Sequence, residues 1–398
     1  MRRIFCIFLA FYLLLPFCFA EEAEAVDNWE PAEDIAVSSV AGSLSVPAPS
    51  VILMERSTGT VLYEKNADER LAPASITKVM TLLLAMEAIE RGQLAYDQKV
   101  TVSRAAMSLG GSTAFLHEGE RYTVSEMLKA VTIASANDGS VVLAEAVAGT
   151  EETFVAMMNE RAAQLGMTGT NFTNCHGLDN PQHYTTARDV AIMSRALLAH
   201  KDIRNYSTVW LDSLRDGTFT LANTNRLVRY YDGCTGLKTG TTSKAGSCIT
   251  ASAERDGMEL IAVVMHAAST DDRYESARKM LDYGFAGYSA MTVWPDEVLL
   301  PVPVLLGRGK EVQPLIEREE TVIFEKHKKP LLTKTVELAE DVQAPVQKGQ
   351  RLGEIILECE GTVLARVPIV AAADVEKLTW WDVLKHMLGL LTMSARPQ

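Results

Sequence analysis

Residues 71–89 read LAPASITKVMTLLLAMEAI. From Ile76 to Ile89 the apolar residues recur with a helical period, and most of them are Leu, Met and Ala, which form helices readily. Pro73 precedes the run, and proline is favoured where a helix starts. The stretch therefore predicts a helix that begins close to Ser75.

Strand patterns occur in the sequence on both sides of this helix. Residues 51–54 and 60–63 are apolar runs separated by a turn-forming segment, and they predict a β-hairpin. Further helices are predicted at 124–147, 187–198 and 271–285, and further strands at 246–253 and 260–266. Strands, then helices, then strands indicate an α+β domain with helices packed on a central sheet, over residues 50–290.

A change of pattern near residue 293 indicates a second domain. Beyond it the long helical patterns stop, and short β-prone runs at 321–324, 354–357 and 363–370 alternate with Gly and Pro turns. Residues 293–373 are therefore expected to form an all-β domain of roughly eighty residues.

The last segment, residues 374–398, has the pattern of an amphipathic helix over 375–393. One side would hold Trp380, Trp381, Val383, Leu384, Met387, Leu388 and Leu391, and the other Asp382, Lys385 and His386. Charges and limited length do not suit a membrane span, whereas paired tryptophans suit a helix in the headgroup layer. We favour attachment to a membrane surface; packing of the apolar side on the β domain is the alternative.

The first twenty residues have the layout of an export signal. Arg2 and Arg3 are followed by an apolar run over 4–17 and by small residues where a signal peptidase cleaves. We expect residues 1–20 to be a signal peptide and the protein to act at the outer face of the cytoplasmic membrane. A retained membrane anchor is the alternative, but the run is shorter than the ~20 residues that a span needs. Residues 21–49 are acidic, then rich in Ser, Ala, Gly and Pro, which predicts a flexible tether.

Composition excludes several classes of function. The 398 residues are 47% hydrophobic and 22% charged, as in a globular protein of two domains. A formal net charge of -13 provides no basic surface for a phosphate backbone, so we expect no nucleic-acid partner. The cysteines after residue 20 are Cys175, Cys234, Cys248 and Cys359, without metal-ligand spacing, so we expect no metal and no cofactor. A disulfide between Cys234 and Cys248 is conceivable, but free buried thiols are favoured.

The helix after Pro73 opens with a serine and a lysine three positions apart. Residues at this spacing share a helix face, so the Lys78 amine can reach the Ser75 hydroxyl. A serine hydroxyl is a weak nucleophile that needs an adjacent base, and a lysine can be that base when burial lowers its pKa. The helix start also supplies N–H groups and positive dipole for a developing oxyanion. Helix capping by Ser75 is the structural alternative.

A second pair with the same spacing shows that this motif is weak on its own. A Ser and a Lys three apart should arise about once by chance in a chain of this length. Ser276 and Lys279 also have this spacing, and we interpret them as the solvated surface of a helix.

Two further short segments carry groups that suit the same chemistry. Residues 135–137, Ser-Ala-Asn, put a hydroxyl and a carboxamide two positions apart in a short connection inside the helical stretch 124–147, between the apolar residues 128–133 and the helix from Ser140. Residues 238–241, Lys-Thr-Gly-Thr, alternate so that Lys238 and Gly240 share one face of a strand. A glycine there allows close approach of a ligand, and Lys238 supplies positive charge for an anion.

The ordered trio Ser-x-x-Lys, Ser-x-Asn and Lys-Thr-Gly resembles the signature of penicillin-binding proteins and class A β-lactamases. Further stretches resemble the low-molecular-mass penicillin-binding proteins, the D-alanyl-D-alanine carboxypeptidases: residues 71–75, 174–178, 184–189 and 263–285. The resemblance covers the chain from about residue 50 onward. It implies an α+β transpeptidase-like domain, a small all-β domain and a helix that attaches to the membrane.

The resemblance also implies an activity, partners and a set of site residues. The enzyme would remove the terminal D-alanine from peptidoglycan stem pentapeptides that end in D-Ala-D-Ala, through an acyl-enzyme that β-lactam antibiotics also form. The nucleophile, its base and a proton relay would be Ser75, Lys78 and Ser135. The residues that hold the substrate would be Asn137, Lys238, Thr239, Gly240, Thr241 and Arg273. The N–H groups of Ser75 and Thr241 would form the oxyanion hole.

One position departs from the family pattern, and two other functions stay open. Thr241 stands where family members often carry His or Tyr, which bears on substrate geometry. A β-lactamase is the nearer alternative, although its Glu-x-x-x-Asn deacylation segment is not evident between Asn137 and Lys238. A non-catalytic penicillin-binding sensor is the other, and the three intact motifs argue against it. We interpret His176 as a structural loop residue, because Lys78 already supplies the base.

Overall fold

The computed structural model describes residues 44–394, so the expected signal peptide and most of the expected tether lie outside the described residues. Val46 and Ala48 are buried, and the Ala48 amide donates to the Ser276 hydroxyl at 3.3 Å. The tether prediction is therefore wrong for residues 44–49, because apolar side chains there pack on the domain. The surface interpretation of Ser276 is also wrong, since it is buried; Lys279 is exposed and pairs with Glu275.

The first part of the chain consists of helices and a central sheet. Its strands are β1 (Ser50–Glu55), β2 (Val61–Lys65), β3 (Lys99–Thr101), β4 (Arg121–Thr123), β5 (Leu211–Leu214), β6 (Phe219–Ala222), β7 (Cys234–Thr242), β8 (Gly246–Arg255) and β9 (Met258–Ala267). Its helices are α1 (Lys78–Glu90), α2 (Arg104–Met107), α3 (Val124–Ile133), α4 (Asn137–Ala148), α5 (Glu151–Gln164), α6 (Ala187–Ala199), α7 (Arg204–Ser207), α8 (Leu227–Tyr230) and α9 (Thr270–Gly287). A 3₁₀ turn at Ala74–Thr77 leads into α1.

The central sheet has the order β2-β1-β9-β8-β7, and every neighbouring pair is antiparallel. Successive side chains of a strand point to opposite faces, so Val51 and Leu53 of β1 pack with α9. Ile52 and Met54 pack on the other face with the cluster that contains α1, α3, α4 and α6. The predicted hairpin and the α+β arrangement of helices on a sheet are confirmed, and β7 lies at the edge of the sheet.

Two details of the helices differ from the prediction. Asn137 is the first residue of α4, so it belongs to a helix and not to a connection. Helix α5 was not predicted, because only Phe154, Met158 and Ala162 of its residues are buried. An apolar stripe of one residue every four positions is too narrow to stand out from the surrounding polar residues.

The second part of the chain is rich in strands, as predicted. Its strands are β10 (Tyr288–Thr292), β11 (Val302–Leu305), β12 (Glu311–Val312), β13 (Pro314–Ile316), β14 (Thr321–Glu325), β15 (Leu332–Leu338), β16 (Val342–Gln343), β17 (Arg351–Cys359) and β18 (Thr362–Ala371). They form sheets in the orders β10-β14, β12-β11-β16 and β13-β18-β17-β15. Because β10 pairs with β14, the strand at the expected boundary near residue 290 is already bonded to the second part.

A last helix, α10 (Trp380–Ser394), follows these strands. It begins five residues later than expected, because Val375 is buried and pairs with Val346 of the β domain. The apolar side chains that the structure describes, Trp380, Trp381, Val383, Leu384, Met387 and Leu388, are exposed, so packing of this side on the β domain is wrong for them. Within residues 44–394, no helix combines the length and the apolar character that crossing a membrane requires.

Candidate active site

Ser75 lies in the 3₁₀ turn before α1, where three segments of the chain meet. Ala74 has a positive φ of 49°, which is uncommon for a residue with a side chain and is found at functional turns. Gly177 fits against the turn because a Cβ there would overlap the Ala74 carbonyl. Gly240 of β7 fits on another side, since a Cβ there would lie 2.8 Å from the Ser75 nitrogen. The turn is thus held close to the edge strand, and Ser75 remains partly exposed.

The buried amine of Lys78 has three oxygen neighbours. Its Nζ lies 2.9 Å from Ser75 Oγ, 2.6 Å from Asn137 Oδ1 and 2.6 Å from the His176 carbonyl oxygen. A neutral amine has two N–H donors and one lone pair, and the amide and carbonyl oxygens can only accept. The two N–H groups therefore point to Asn137 and His176, which leaves the lone pair for the Ser75 hydroxyl proton.

Burial determines the protonation state of this amine. Removal from water lowers the pKa of Lys78 to about 7, against which weaker attractions to Cys175 and Asp138 act. A substantial fraction of Lys78 is consequently neutral near neutral pH. This satisfies the condition that a lysine must meet to act as a general base.

A loop over residues 110–116 supports the carboxamide of Asn137. The Asn137 Nδ2 donates to the Gly110 carbonyl at 2.6 Å. The next residue, Asp138, is buried and accepts hydrogen bonds from the amides of Ala114 and Leu116 at 3.0 and 3.1 Å. Asn137 is thereby fixed on both sides, by Lys78 and by the loop.

Cationic groups gather beside Ser75. Burial, and then the charges of Lys78 and Arg273, hold the pKa of Lys238 well below its usual range. Lys238 Nζ donates to the Thr239 carbonyl at 2.9 Å, and Arg273 Nη1 donates to Thr241 Oγ1 at 3.2 Å. Across residues 44–394, no carboxylate forms an ion pair with Lys78, Lys238 or Arg273. An anionic ligand beside Lys238 and Arg273 would offset their mutual repulsion and favour the charged form of Lys238.

Along the edge of β7, the part that precedes Lys238 is occupied by two side chains. Ser207 and Asn225 donate to the carbonyls of Thr235 and Gly236 at 2.6 and 3.1 Å. Lys238 and Gly240 lie further along the edge, beyond these two side chains. This part of the edge faces the turn that carries Ser75. An extended peptide can pair with a strand at such an edge.

Ser135 is the predicted site residue with the fewest observed contacts. It is buried between α3 and α4, with a positive φ of 63°. In the part of the chain that the structure describes, its hydroxyl has no hydrogen-bond partner. No direct hydrogen bond between Ser135 and Lys78 therefore supports the expected relay role.

Sequence reasoning missed several contacts that build the site. The His176 carbonyl and the Gly110 carbonyl are backbone groups, so no side-chain type marks them. The His176 ring accepts the Leu178 amide at 3.2 Å, and burial lowers its pKa to about 3, which fits a structural loop residue. Asp138 adjoins the Ser-x-Asn segment and could have been suspected as a buried acid.

The cysteines take no part in covalent cross-links within the described residues. Cys175, Cys234, Cys248 and Cys359 are free. On the ladder of β7 and β8, Cys234 is opposite Ala253 and Cys248 is opposite Gly240, so the two are far apart. The preference for free thiols is confirmed.

The site defines a class of protein. A serine hydroxyl beside a desolvated amine, with helix-start amides and a cationic strand around it, suits acyl transfer from a donor that carries a carboxylate. The site therefore has the arrangement of a serine-dependent acyl-transfer enzyme, with a lysine amine within hydrogen-bond distance of the serine hydroxyl.

Comparison with known protein families makes this more specific. Residues 36–269 match the family described as D-alanyl-D-alanine carboxypeptidase, and residues 293–377 match the C-terminal domain of penicillin-binding protein 5. The chain belongs to the D-alanyl-D-alanine carboxypeptidase family. The resemblance seen in the sequence is confirmed, including the all-β second domain.

Individual relatives cover from 61% to 87% of the chain. The D-alanyl-D-alanine carboxypeptidase DacF of Bacillus subtilis is 42% identical over 352 residues, which are 87% of this chain and 90% of the relative. Penicillin-binding protein 5 from Haemophilus influenzae has a similar structure, with 29% identity and a TM-score of 0.73 over 84% of this chain and 98% of that one. Penicillin-binding protein D2 from Listeria monocytogenes in its ampicillin-bound form is 30% identical, with a TM-score of 0.56 over 61% and 100%.

Proposed function

We propose that the protein is a serine-type D-alanyl-D-alanine carboxypeptidase in which Ser75 is the nucleophile and Lys78 its base. The observation that carries the proposal is the 2.9 Å contact between the Lys78 amine and the Ser75 hydroxyl. The other two polar contacts of that amine go to oxygens that accept only, so its lone pair is directed at the proton to be removed. Family membership supports the same reaction.

The substrate is a peptidoglycan stem peptide that ends in D-Ala-D-Ala. It lies along β7 as an added strand, and its terminal carboxylate binds among Lys238, Thr239 and Arg273. Gly240 gives room for this approach, and Asn137 contacts the substrate amide. The negative charge of that carboxylate offsets the repulsion among the buried cations.

Catalysis proceeds in two steps. Ser75 Oγ attacks the carbonyl carbon of the penultimate D-Ala while Lys78 takes the hydroxyl proton, and the N–H groups of Ser75 and Thr241 bind the oxyanion. The C–N bond then breaks, and the leaving D-alanine amine receives a proton relayed by Lys78 and Ser135. Water hydrolyses the ester on Ser75. A β-lactam acylates the same hydroxyl through its ring amide.

The protein is exported and held at the outer face of the cytoplasmic membrane. Residues 1–20 act as the signal peptide, and α10 binds the membrane surface with its apolar side. The exposed, stacked rings of Trp380 and Trp381, whose centroids are 3.7 Å apart, support this attachment, because such rings are stable at a headgroup boundary.

Mass spectrometry of the protein lacking residues 1–20 tests the activity. The protein is mixed with diacyl-L-Lys-D-Ala-D-Ala, and free D-alanine and the mass on Ser75 are followed in time. We expect many turnovers of D-alanine with a transient adduct. A stable penicillin adduct without peptide turnover would indicate a sensor, and fast hydrolysis of penicillin without peptide turnover would indicate a β-lactamase.

A further inference from the structure

Two neighbouring leucines of the β domain are exposed close to α10. Leu305 ends β11 with 49% of its surface exposed, and Leu306 follows with 55% exposed. Leu306 also has a positive φ of 58°, a conformation that costs free energy for a bulky side chain and that Asn or Gly adopts more readily. Leu306 is therefore unfavourable in two respects, because its backbone conformation costs free energy and its apolar side chain contacts water. This combination indicates a function.

Backbone hydrogen bonds join this pair to residues 377–378, which lead into α10. The Leu306 carbonyl accepts the amide of Leu378 at 2.8 Å, two residues before Trp380. Gly307 forms a bridge with Lys377 in the same stretch. Residues 305–306, which we call the leucine turn, are therefore bonded to the segment that leads into α10 and its paired tryptophans.

Arg308, whose side chain is 49% exposed, joins the leucine turn to α10 through two ion pairs, which we call the Arg308 clamp. Its Nε lies 3.0 Å from Asp382 Oδ2 and its Nη1 2.6 Å from Glu376 Oε2. The same Asp382 carboxylate caps the start of α10 by accepting the Thr379 amide at 2.9 Å. These bonds fix the direction in which α10 leaves the β domain relative to Arg308, which lies two positions after Leu306.

The charges around the leucine turn suit an anionic partner. Arg308 pairs with Glu376 and Asp382, and the exposed charges that remain nearby are three lysines and two acids: Lys310, Lys377, Lys385, Glu311 and Asp374. Throughout residues 44–394, these three lysines form no ion pair. The unpaired lysines thus exceed the unpaired acids by one, on a chain of net charge -13, and this local excess of positive charge favours a headgroup layer that contains anionic lipids.

We propose that Leu305 and Leu306 insert into the same anionic membrane surface as α10 and form a second lipid contact, which we call the leucine wedge. The proposal rests on the membrane attachment by α10 given above and adds a contact made by the β domain itself. Two contacts joined by the Arg308 clamp hold the β domain in one orientation on the bilayer, whereas a helix alone would act as a flexible tether.

Vesicle binding of the full chain without residues 1–20 tests the wedge. The vesicles are phosphatidylcholine with or without phosphatidylglycerol, and the variant is Leu305→Gln combined with Leu306→Asn. Asn tolerates the positive φ of position 306, so the thermal midpoint should not fall. We expect the partition coefficient to drop about tenfold or more, since two half-exposed leucines lose their apolar burial in lipid.

Leu331→Gln is the matched control. Leu331 is 46% exposed and precedes Leu332, the residue of β15 that is opposite Cys359 at the end of β17. The segment that leads into α10 lies near the other end of β17. The rise of a strand separates the two ends by about 25 Å. This variant should bind vesicles like the parent protein.

Deletion of residues 380–398 separates failure of the wedge from failure of the anchor. If the deletion abolishes binding while the double leucine variant binds like the parent, the anchor stands and the wedge is overturned. If the parent protein binds neither type of vesicle, the attachment proposal itself fails. Equal losses in the double variant and in Leu331→Gln would also overturn the wedge, because they would indicate a general effect of surface polarity.

Discussion

Gly240 lies directly against the Ser75 backbone nitrogen. A Cβ at position 240 would be 2.8 Å from that nitrogen, 3.0 Å from the Ala74 Cβ and 3.1 Å from the Ile76 nitrogen. Glycine is therefore required here for close approach of the edge strand to the turn that carries Ser75. This contact couples two motifs that are more than 160 positions apart in the sequence.

The first prediction concerns this contact. Gly240→Ala should lower the rate of Ser75 acylation by penicillin about 100-fold, because the methyl group separates β7 from the turn by a fraction of an ångström. The second-order rate constant with a fluorescent penicillin measures the effect. Gly287→Ala is the control, since a Cβ at the end of α9 meets nothing within 4 Å. Equal rates for the two variants would contradict a tight junction.

The second prediction concerns the nucleophile. Ser75→Ala should abolish both covalent penicillin labelling and D-alanine release, because no other hydroxyl contacts the Lys78 amine in the described structure. Mass spectrometry of labelled peptides gives the readout. Lys279→Ala, in the second Ser-x-x-Lys pair, should keep full labelling because Lys279 is exposed and paired with Glu275. Labelling of Ser75→Ala at another serine would refute the assignment.

The third prediction is a pH profile. Since burial lowers the pKa of Lys78 to about 7, the free base is lost as pH falls below that value. The acylation rate should drop tenfold per pH unit below about 7 and level off above it. Lys78→Arg should remove this limb together with most of the rate, because a guanidinium stays protonated throughout. A flat profile from pH 5 to 9 in the parent protein would argue against a lysine base.

Local patterns allowed much of the site to be predicted. The Ser75–Lys78 contact follows from a spacing of three on a helix, and the shared face of Lys238 and Gly240 follows from the alternation of a strand. Both are properties of short segments.

Contacts between distant segments could not be predicted in the same way. The bond from Lys78 to Asn137 and the one to the His176 carbonyl span 59 and 98 positions, and tertiary packing alone brings them together. The late start of α10 has the same origin, because Val375 pairs with Val346 and so cannot join the helix. A residue pattern within one segment does not indicate which distant residues that segment will contact.

The fourth prediction concerns the support of Asn137. Both oxygens of Asp138 accept backbone N–H groups, from Ala114, Leu116 and Gly139. Asp138→Asn turns one acceptor into a donor that faces these N–H groups, which should cost about 1–3 kcal/mol of unfolding free energy and also slow acylation. Thermal unfolding and the acylation rate check both effects. The exposed Asp216→Asn serves as control, and a loss of stability as large in that variant would count against a special role for Asp138.

The fifth prediction tests whether the cationic cluster binds the substrate carboxylate. Arg273 and Lys238 gain a compensating negative charge only when the peptide ends in a free carboxylate, so a C-terminal amide should be a poor substrate. The parent protein should prefer the acid over the amide by roughly 10- to 100-fold in kcat/KM, as expected for a hydrogen bond to a charged group. Arg273→Gln should lose most of this preference through a slower reaction with the acid, while its reaction with the amide hardly changes. Rates with both peptides at pH 8, where Lys78 is mostly neutral, isolate the effect from the base. If Arg273→Gln slowed both peptides equally, Arg273 would act on the position of β7, through its bond to Thr241, and not on the carboxylate.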